Sequence, residues 1–136
     1  MKVSPYNYLQ EIYRHDPWKM LIMCIMLNQT SFKQVDPIRR KFFKKYPNAE
    51  VTSKADPNKM KEMIRTLGFY NRRTATIIKF SKQWLGDWKN VIDLYGIGRY
   101  ASDSWKIFQE YNFDIEVTDK ELTRYLAWLK NEGITN

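Results

Sequence analysis

Two short stretches near the C-terminus contain the residues best suited to chemistry. The first is L-Y-G-I-G-R-Y, from Leu94 to Tyr100, in which two glycines flank one isoleucine. Glycine permits a positive φ and a close approach to another group, while the isoleucine is expected to enter the core. The free N–H groups at the start of a following helix can bind an anion. The pattern therefore predicts either a plain turn between helices or a hairpin that holds a phosphate.

The second stretch is V-T-D, from Val117 to Asp119, directly before a segment with helical apolar spacing. Thr118 and Glu121 have the spacing of a capping box, which predicts Asp119 in the first helical turn. Two interpretations are open. Asp119 is either an acid that stabilises a helix N-terminus, or a carboxylate kept ionised there to stabilise a positive charge that forms opposite it.

The chain has one histidine, His15, and one cysteine, Cys24. A single residue of each kind excludes a disulfide framework within the chain, a four-cysteine iron–sulfur cluster and the usual zinc sites. Catalytic triads that depend on histidine are nearly excluded as well. We therefore expect neither a metal nor a cofactor.

The chain of 136 residues carries 23 Lys and Arg against 15 Asp and Glu, for a net charge of +8. Such an excess favours a polyanionic partner, because cationic side chains release counterions from phosphates, although a cationic solvated surface is the alternative. No repeat, linker or apolar run long enough for a membrane span interrupts the sequence. We expect one domain over residues 1–136, no membrane contact and an intracellular, non-secreted protein.

Helical periodicity covers nearly the whole chain. Asp16-Pro17 and Asp56-Pro57 each combine an N-cap with a proline at the first helical position. The apolar spacing after them predicts helices, the second closed by Gly68. A helix with a kink at Pro37 is expected between them, and further helices from about Arg72 and after the hairpin. No segment alternates with the period of a strand, so the fold class is predicted to be all-α.

With both stretches in a basic, helical chain, the sequence resembles the helix-hairpin-helix DNA glycosylase superfamily. Within it, the chain is most similar to the catalytic domain of the methyl-CpG-binding-domain thymine glycosylases. Further matching stretches extend over nearly the whole chain: S-P-Y-N-Y-L-Q-E (4–11), H-D-P-W-K (15–19), L-N-Q-T-S (27–31), K-Y-P-N-A-E-V (45–51), L-G-F-Y-N-R-R (67–73) and G-I-G-R-Y-A-S-D-S (96–104).

The resemblance implies a two-lobed helical fold with the active site in the cleft and a target nucleotide flipped out of the duplex. It assigns the catalytic carboxylate to Asp119. The remaining site residues that it implies are the base pocket (Leu9, Gln10, Leu27 and Tyr100), the residues that enter the base stack (Gln29 and Phe69) and the phosphate contacts (Gly96, Gly98, Arg99 and Lys120).

Three positions depart from the relatives' pattern. Gln29 replaces an arginine, Phe69 replaces a leucine, and Glu121 replaces a lysine, so that an acid stands where a cation is usual. Tyr100 occupies the position where bifunctional members carry a lysine, and a phenol cannot form a Schiff base with the sugar. The chain has no iron–sulfur loop.

The resemblance therefore implies a monofunctional thymine/uracil glycosylase that acts as a monomer on double-stranded DNA with G·T or G·U mismatches. Such an enzyme is expected in the nucleus of a eukaryote, or otherwise in the nucleoid and cytoplasm. Two alternatives remain: an adenine-type mismatch glycosylase, favoured by Gln29, and a DNA-binding module without catalysis, in which Asp119 is only a cap.

Overall fold

The computed structural model describes residues 2–136, and in that range it contains eight α-helices and no strand. This confirms the all-α prediction. Short 3₁₀ turns span Arg65–Leu67 and Val91–Asp93. In chain order the helices are α1 (Leu9–Ile12), α2 (Pro17–Leu27), α3 (Phe32–Lys45), α4 (Ala49–Ser53), α5 (Pro57–Ile64), α6 (Tyr70–Trp84), α7 (Arg99–Phe108) and α8 (Lys120–Asn131).

Helix α2 forms the centre of the core. Its N-cap, Asp16, accepts a hydrogen bond from the Lys19 N–H over 3.2 Å, and Pro17 occupies the first position, as predicted. Trp18 and every residue from Met20 to Met26 are buried. A helix that is apolar on all sides must be surrounded by other elements. Helices α3 and α6 pack against α2 as one group, and helices α1 and α7 pack against it as a second group. The two groups therefore meet along α2.

Local side-chain capping sets several helix starts, at Asp56 as the sequence predicted and at Ser31 where no cap was predicted. Ser31 and Gln34 form a full capping box at the start of α3, and Asp56 caps α5 by accepting from the Asn58 N–H over 2.9 Å. Helix α3 continues through Pro37 and ends before Tyr46. Helices α2 to α5 thus each begin with a side-chain cap, whereas α1 has none.

Several predicted boundaries are wrong by a few residues. The α-helix after Pro57 ends at Ile64, and a 3₁₀ turn leads to Gly68, whose φ is 74°. Helix α6 begins at Tyr70, because Phe69 has a left-handed φ of 46° and serves as its N-cap. The helical run expected after the hairpin, with apolar spacing through Trp105, Phe108 and Tyr111, ends sooner as α7, and Tyr111 lies beyond it with a positive φ of 54°. Left-handed residues other than glycine leave no clear signature in a sequence.

The hairpin before α7 needs its first glycine far more than its second. Gly96 has a φ of 82°, and a Cβ there would collide with Cγ2 of Thr76 on α6. Gly98 has an ordinary φ of −93° and no heavy atom within 4 Å of an added Cβ. The expectation that both glycines serve a positive φ is therefore wrong for Gly98. Ile97 between them is buried, as predicted.

We expect Gly96→Ala to lower the free energy of unfolding by about 2 kcal/mol or more, because it combines left-handed strain with overpacking. Gly98→Ala should change it by less than about 1 kcal/mol in either direction, since alanine adopts this backbone conformation without strain. Urea denaturation followed by circular dichroism measures both. Equal destabilisation by the two variants would contradict this account of the hairpin.

Candidate active site

A cavity of about 510 Å³ opens where the two groups of helices meet. The loop between α2 and α3 supplies one wall, and the segment that leads into α1 supplies another. Tyr100 comes from α7, and the first turn of α8 closes the remaining side. The lining residues are Tyr6, Tyr8, Leu9, Gln10, Leu27, Asn28, Gln29, Thr30, Ser31, Phe32, Tyr100, Asp119, Glu121 and Arg124. Asp119 and all four predicted pocket residues are therefore brought together.

Asp119 is the N-cap of α8, and its carboxylate lines this cavity. Oδ2 accepts a hydrogen bond from the Leu122 N–H over 2.9 Å, and the side chain is half-buried. The prediction that Thr118 is the cap and Asp119 lies in the first turn is therefore wrong by one residue. The change matters because the N-cap carboxylate receives the full positive end of the helix and is held by a backbone donor.

Gln10 and Tyr100 form the polar end of the cavity. Gln10 is buried, and its Nε2 donates to the Tyr100 hydroxyl over 2.6 Å and to Ser104 Oγ over 3.3 Å. Among the described residues, the amide oxygen Oε1 of Gln10 has no hydrogen-bond partner. Burial raises the pKa of the Tyr100 hydroxyl well above its usual range, and nearby Cys24 and Asp119 raise it further. The phenol is therefore neutral at any physiological pH.

The two predicted leucines differ in their environment. Leu9 is fully buried in the core and also lines the cavity, whereas Leu27 is half-buried at the end of α2. Cys24 is buried near Tyr100 but does not line this cavity, and burial raises the pKa of its thiol to about 12. The two leucines therefore supply apolar lining to the cavity, and the one thiol lies outside it.

Three residues that the sequence reasoning did not single out, Tyr6, Tyr8 and Arg124, form a further wall of the cavity. The Tyr8 hydroxyl donates to Oε2 of Glu121 over 3.1 Å, and Arg124 lies 3.7 Å from the same oxygen. The Arg124 guanidinium also lies 3.8 Å from the centre of the Tyr6 ring. Burial is the largest cause that raises the pKa of Tyr8 far above its usual range, and the Glu121 carboxylate adds to it.

These contacts explain how Glu121 is tolerated, although the sequence analysis gives it as an acid at a position where a cation is usual. Its charge is matched within the wall by Arg124 and by the Tyr8 hydroxyl. The spacing of Glu121 and Arg124 along the helix is the only local signal for this arrangement. The contact with Tyr8 joins opposite ends of the chain, so no local pattern shows it.

Gln29 and Phe69, expected to enter the base stack, stand on two separate loops beside the cavity. Both have left-handed backbones, with φ of 61° and 46°. Gln29 lines the main cavity and also a neighbouring groove of about 300 Å³, whereas Phe69 lines only that groove and is 58% exposed. The structure thus places Gln29 at the border between the cavity and the groove, and Phe69 in the groove alone.

The predicted phosphate contacts are only partly brought together. Gly96, Gly98 and Arg99 line the groove, and the Arg99 guanidinium lies 3.4 Å from Asp103 while donating to the Glu116 carbonyl over 3.2 Å. Lys120 is exposed and lines neither the groove nor the cavity.

Over residues 2–136, no three His, Cys, Asp or Glu side chains are grouped closely enough to hold a metal ion. In the same range, no helix is long and apolar enough to cross a membrane.

Residues 22–133 match the family described as HhH-GPD superfamily base excision DNA repair protein. The chain belongs to this superfamily. The chain is 33% identical over 129 residues to the methyl-CpG-binding domain protein 4-like protein of Arabidopsis thaliana. This alignment covers 93% of the chain and 29% of that protein.

The chain is also 33% identical over 130 residues to the adenine DNA glycosylase of Buchnera aphidicola subsp. Baizongia pistaciae, an alignment that covers 90% of the chain and 37% of the relative. The solved structure of a thermostable thymine-DNA glycosylase superposes with a TM-score of 0.64 at 26% identity, over 71% of this chain and 49% of that one. The HhH-GPD chain therefore spans about a third of the length of these two curated relatives.

The cap geometry of Asp119 makes a stability prediction. Asp119→Asn should change the free energy of unfolding by only a few tenths of a kcal/mol, because asparagine caps helices about as well as aspartate, whereas Asp119→Ala should cost about 1 kcal/mol. The same pair of changes at Asp56, the cap of α5, provides a matched reference in urea denaturation. A large loss of stability in Asp119→Asn would contradict the cap assignment.

Proposed function

We propose that this protein is a monofunctional DNA glycosylase that removes thymine or uracil opposite guanine. The observation that carries the proposal is the meeting of Asp119 with the Gln10–Tyr100 pair in one cavity. Membership of a base excision repair superfamily and the likeness to a thymine-DNA glycosylase support it. We treat residues 1–136 as one catalytic domain that works as a monomer, in the nucleus or nucleoid.

The Gln10 amide favours thymine and uracil over cytosine and adenine. Its Nε2 is used by Tyr100 and Ser104, which leaves the acceptor Oε1 for a ligand. Thymine and uracil carry an N–H donor at N3, in the middle of the Watson–Crick edge, whereas cytosine and adenine carry an acceptor at the equivalent position. An acceptor fixed in the wall therefore selects the first pair and rejects the second, because a buried unpaired polar group is costly.

Asp119 is assigned to the chemical step. As the bond between C1′ and the base nitrogen breaks, its electron pair leaves with the base and the sugar becomes positively charged. A carboxylate held by the Leu122 N–H stabilises that charge only as it develops, which lowers the barrier. Water then attacks C1′ while one of its protons passes to the departing base. The products are the free base and an abasic sugar in an intact strand.

The rest of the site is assigned to holding and opening the duplex. The exposed N–H groups around Gly98 contact a phosphate, and the net charge of +8 attracts the DNA. Arg99 and Lys120 add positive charge along the backbone. Gln29 and Phe69 fill the space that the flipped base leaves. Leu9 and Leu27 provide apolar contact to that base, and no cofactor takes part.

Asp119→Asn should reduce the single-turnover excision of thymine and uracil by on the order of 10²- to 10³-fold or more, with duplex affinity nearly unchanged. The substrates are duplexes with G·T, G·U and A·8-oxoguanine pairs, cleaved with alkali after the reaction and separated on gels. Asp56→Asn, which changes another helix cap far from the cavity, is the matched control.

Near-normal excision by Asp119→Asn would contradict its catalytic role. Excision confined to the A·8-oxoguanine duplex would favour the adenine-type alternative instead. No excision from any duplex by the unchanged protein, with DNA binding retained, would leave only the binding module.

The reaction should leave the strand intact until alkali is added, because Tyr100 offers no amine and Lys120 lies outside the cavity. Borohydride added during a G·U reaction in EDTA should therefore trap no covalent complex between protein and DNA. A complex that forms as fast as the base is lost would implicate a lysine and contradict monofunctional chemistry. If EDTA without borohydride abolished excision, the proposal that no cofactor takes part would be contradicted.

A further inference from the structure

One buried side chain joins the two loops that carry Gln29 and Phe69. Arg73 lies in the first turn of α6 and is only 6% exposed. Its backbone N–H donates to the carbonyl of Phe69 over 2.8 Å, and its Nε donates to the carbonyl of Gly68 over 2.9 Å. The turn that presents Phe69 is therefore fixed at two consecutive carbonyls by a single residue.

The other arm of the same guanidinium reaches the end of α2. Nη1 donates to the carbonyls of Ile25 and Met26 over 3.2 and 3.3 Å. These are among the last carbonyls of the helix, where hydrogen bonds within the helix run out. The Ile25 carbonyl also accepts from the Asn28 N–H over 3.4 Å, and the Met26 carbonyl also accepts from the Thr30 hydroxyl. The loop with Gln29 leaves α2 directly after them, so the guanidinium sets where this loop starts as well as where the Phe69 turn stands.

The Arg73 guanidinium is bound by backbone carbonyls and not by a carboxylate. Within residues 2–136, Arg73 makes no salt bridge, and its only recorded polar partners are backbone carbonyls. Burial lowers the pKa of its guanidinium, and the charge of the neighbouring Arg72 lowers it further. A buried cation without a carboxylate is costly to keep, whereas a planar fork of N–H groups is well suited to bridging carbonyls that lie in different directions.

We propose that Arg73 is a positioning residue for base extrusion, which sets the distance between the two residues that enter the DNA stack. The inference rests on the proposed function, because Gln29 and Phe69 have this task only in an enzyme that flips a base. Both residues have left-handed backbones, which persist only where the surroundings hold them. A lysine keeps the positive charge but cannot bridge both sets of carbonyls.

Base extrusion can be measured without chemistry. In an Asp119→Asn background, a 2-aminopurine placed beside the mismatched thymine should fluoresce strongly when saturating protein unstacks it. Adding Arg73→Lys should reduce this rise at least about fivefold, because a misplacement near 1 Å is enough to lose productive geometry. The Kd for the same duplex, from fluorescence anisotropy, should rise less than about threefold, since phosphate contacts dominate affinity. Arg73→Gln, which loses the charge as well, should behave similarly.

Trp18→Phe is the matched control for destabilisation. It removes a buried hydrogen bond of 3.1 Å to Ser81 near the other end of α2, so it should lower the melting temperature and leave the fluorescence rise unchanged. A full fluorescence rise with Arg73→Lys would overturn the proposal. An equally reduced rise with Trp18→Phe would overturn it too, and so would the absence of any rise when Arg73 is intact. The proposed function fails separately, if the protein with Asp119 excises neither thymine nor uracil while the fluorescence still rises.

Discussion

The site depends on how the carbonyls at the end of α2 are satisfied. A buried helix cannot leave its last carbonyls without partners, since each unpaired group costs about 1–3 kcal/mol. Arg73 from α6 donates to the carbonyls of Ile25 and Met26, and the Asn28 N–H and the Thr30 hydroxyl donate to one of them each. The chain can therefore turn sharply after Leu27 and present the residues from Asn28 to Ser31 to the cavity. The same contacts tie α2 to α6.

Helix α6, which Arg73 ties to α2, also contacts the glycine hairpin before α7. One turn after Arg73, the methyl group of Thr76 packs so closely against Gly96 that only a glycine fits. Further along the helix, Oε1 of Gln83 accepts from the Tyr95 N–H over 2.6 Å. Contacts with α6 thus position three segments: the loop of Gln29, the turn of Phe69 and the glycine hairpin. This explains why they line one continuous groove although they are far apart in sequence.

Local chemistry made much of the fold predictable. Asp16-Pro17 and Asp56-Pro57 encode helix starts within a few residues, and the apolar spacing after them identifies the buried faces. The errors occur where distant contacts decide the outcome. Whether Thr118 or Asp119 caps α8 depends on the direction in which the chain arrives. The left-handed turn at Phe69 depends on Arg73, which holds the carbonyls of the turn from the next helix. Neither choice is visible in a short window of sequence.

The residues of the site also fall into those that could be predicted and those that could not. The cavity positions of Leu9, Gln10, Leu27 and Tyr100 came from family resemblance, because spacing alone cannot join residue 10 to residue 100. The wall of Tyr6, Tyr8 and Arg124 escaped prediction since its contacts link the chain's beginning to its last helix, and the resemblance did not mark these positions.

The wall also shows how the site accommodates Glu121, at the position where the family resemblance implies a lysine. Arg124, one helical turn later, brings a positive charge back to the same face of α8, stacked on Tyr6 and beside the Glu121 carboxylate. Tyr8 donates to that carboxylate, so Glu121 is paired within the wall, whereas the only partner recorded for the Asp119 carboxylate in the described chain is a backbone N–H. Two acids thus line one cavity, and Glu121 has a cationic side chain beside it, whereas none is recorded beside Asp119 among the described residues. That difference in pairing supports the proposal that Asp119, and not Glu121, is the acid that stabilises a cationic sugar.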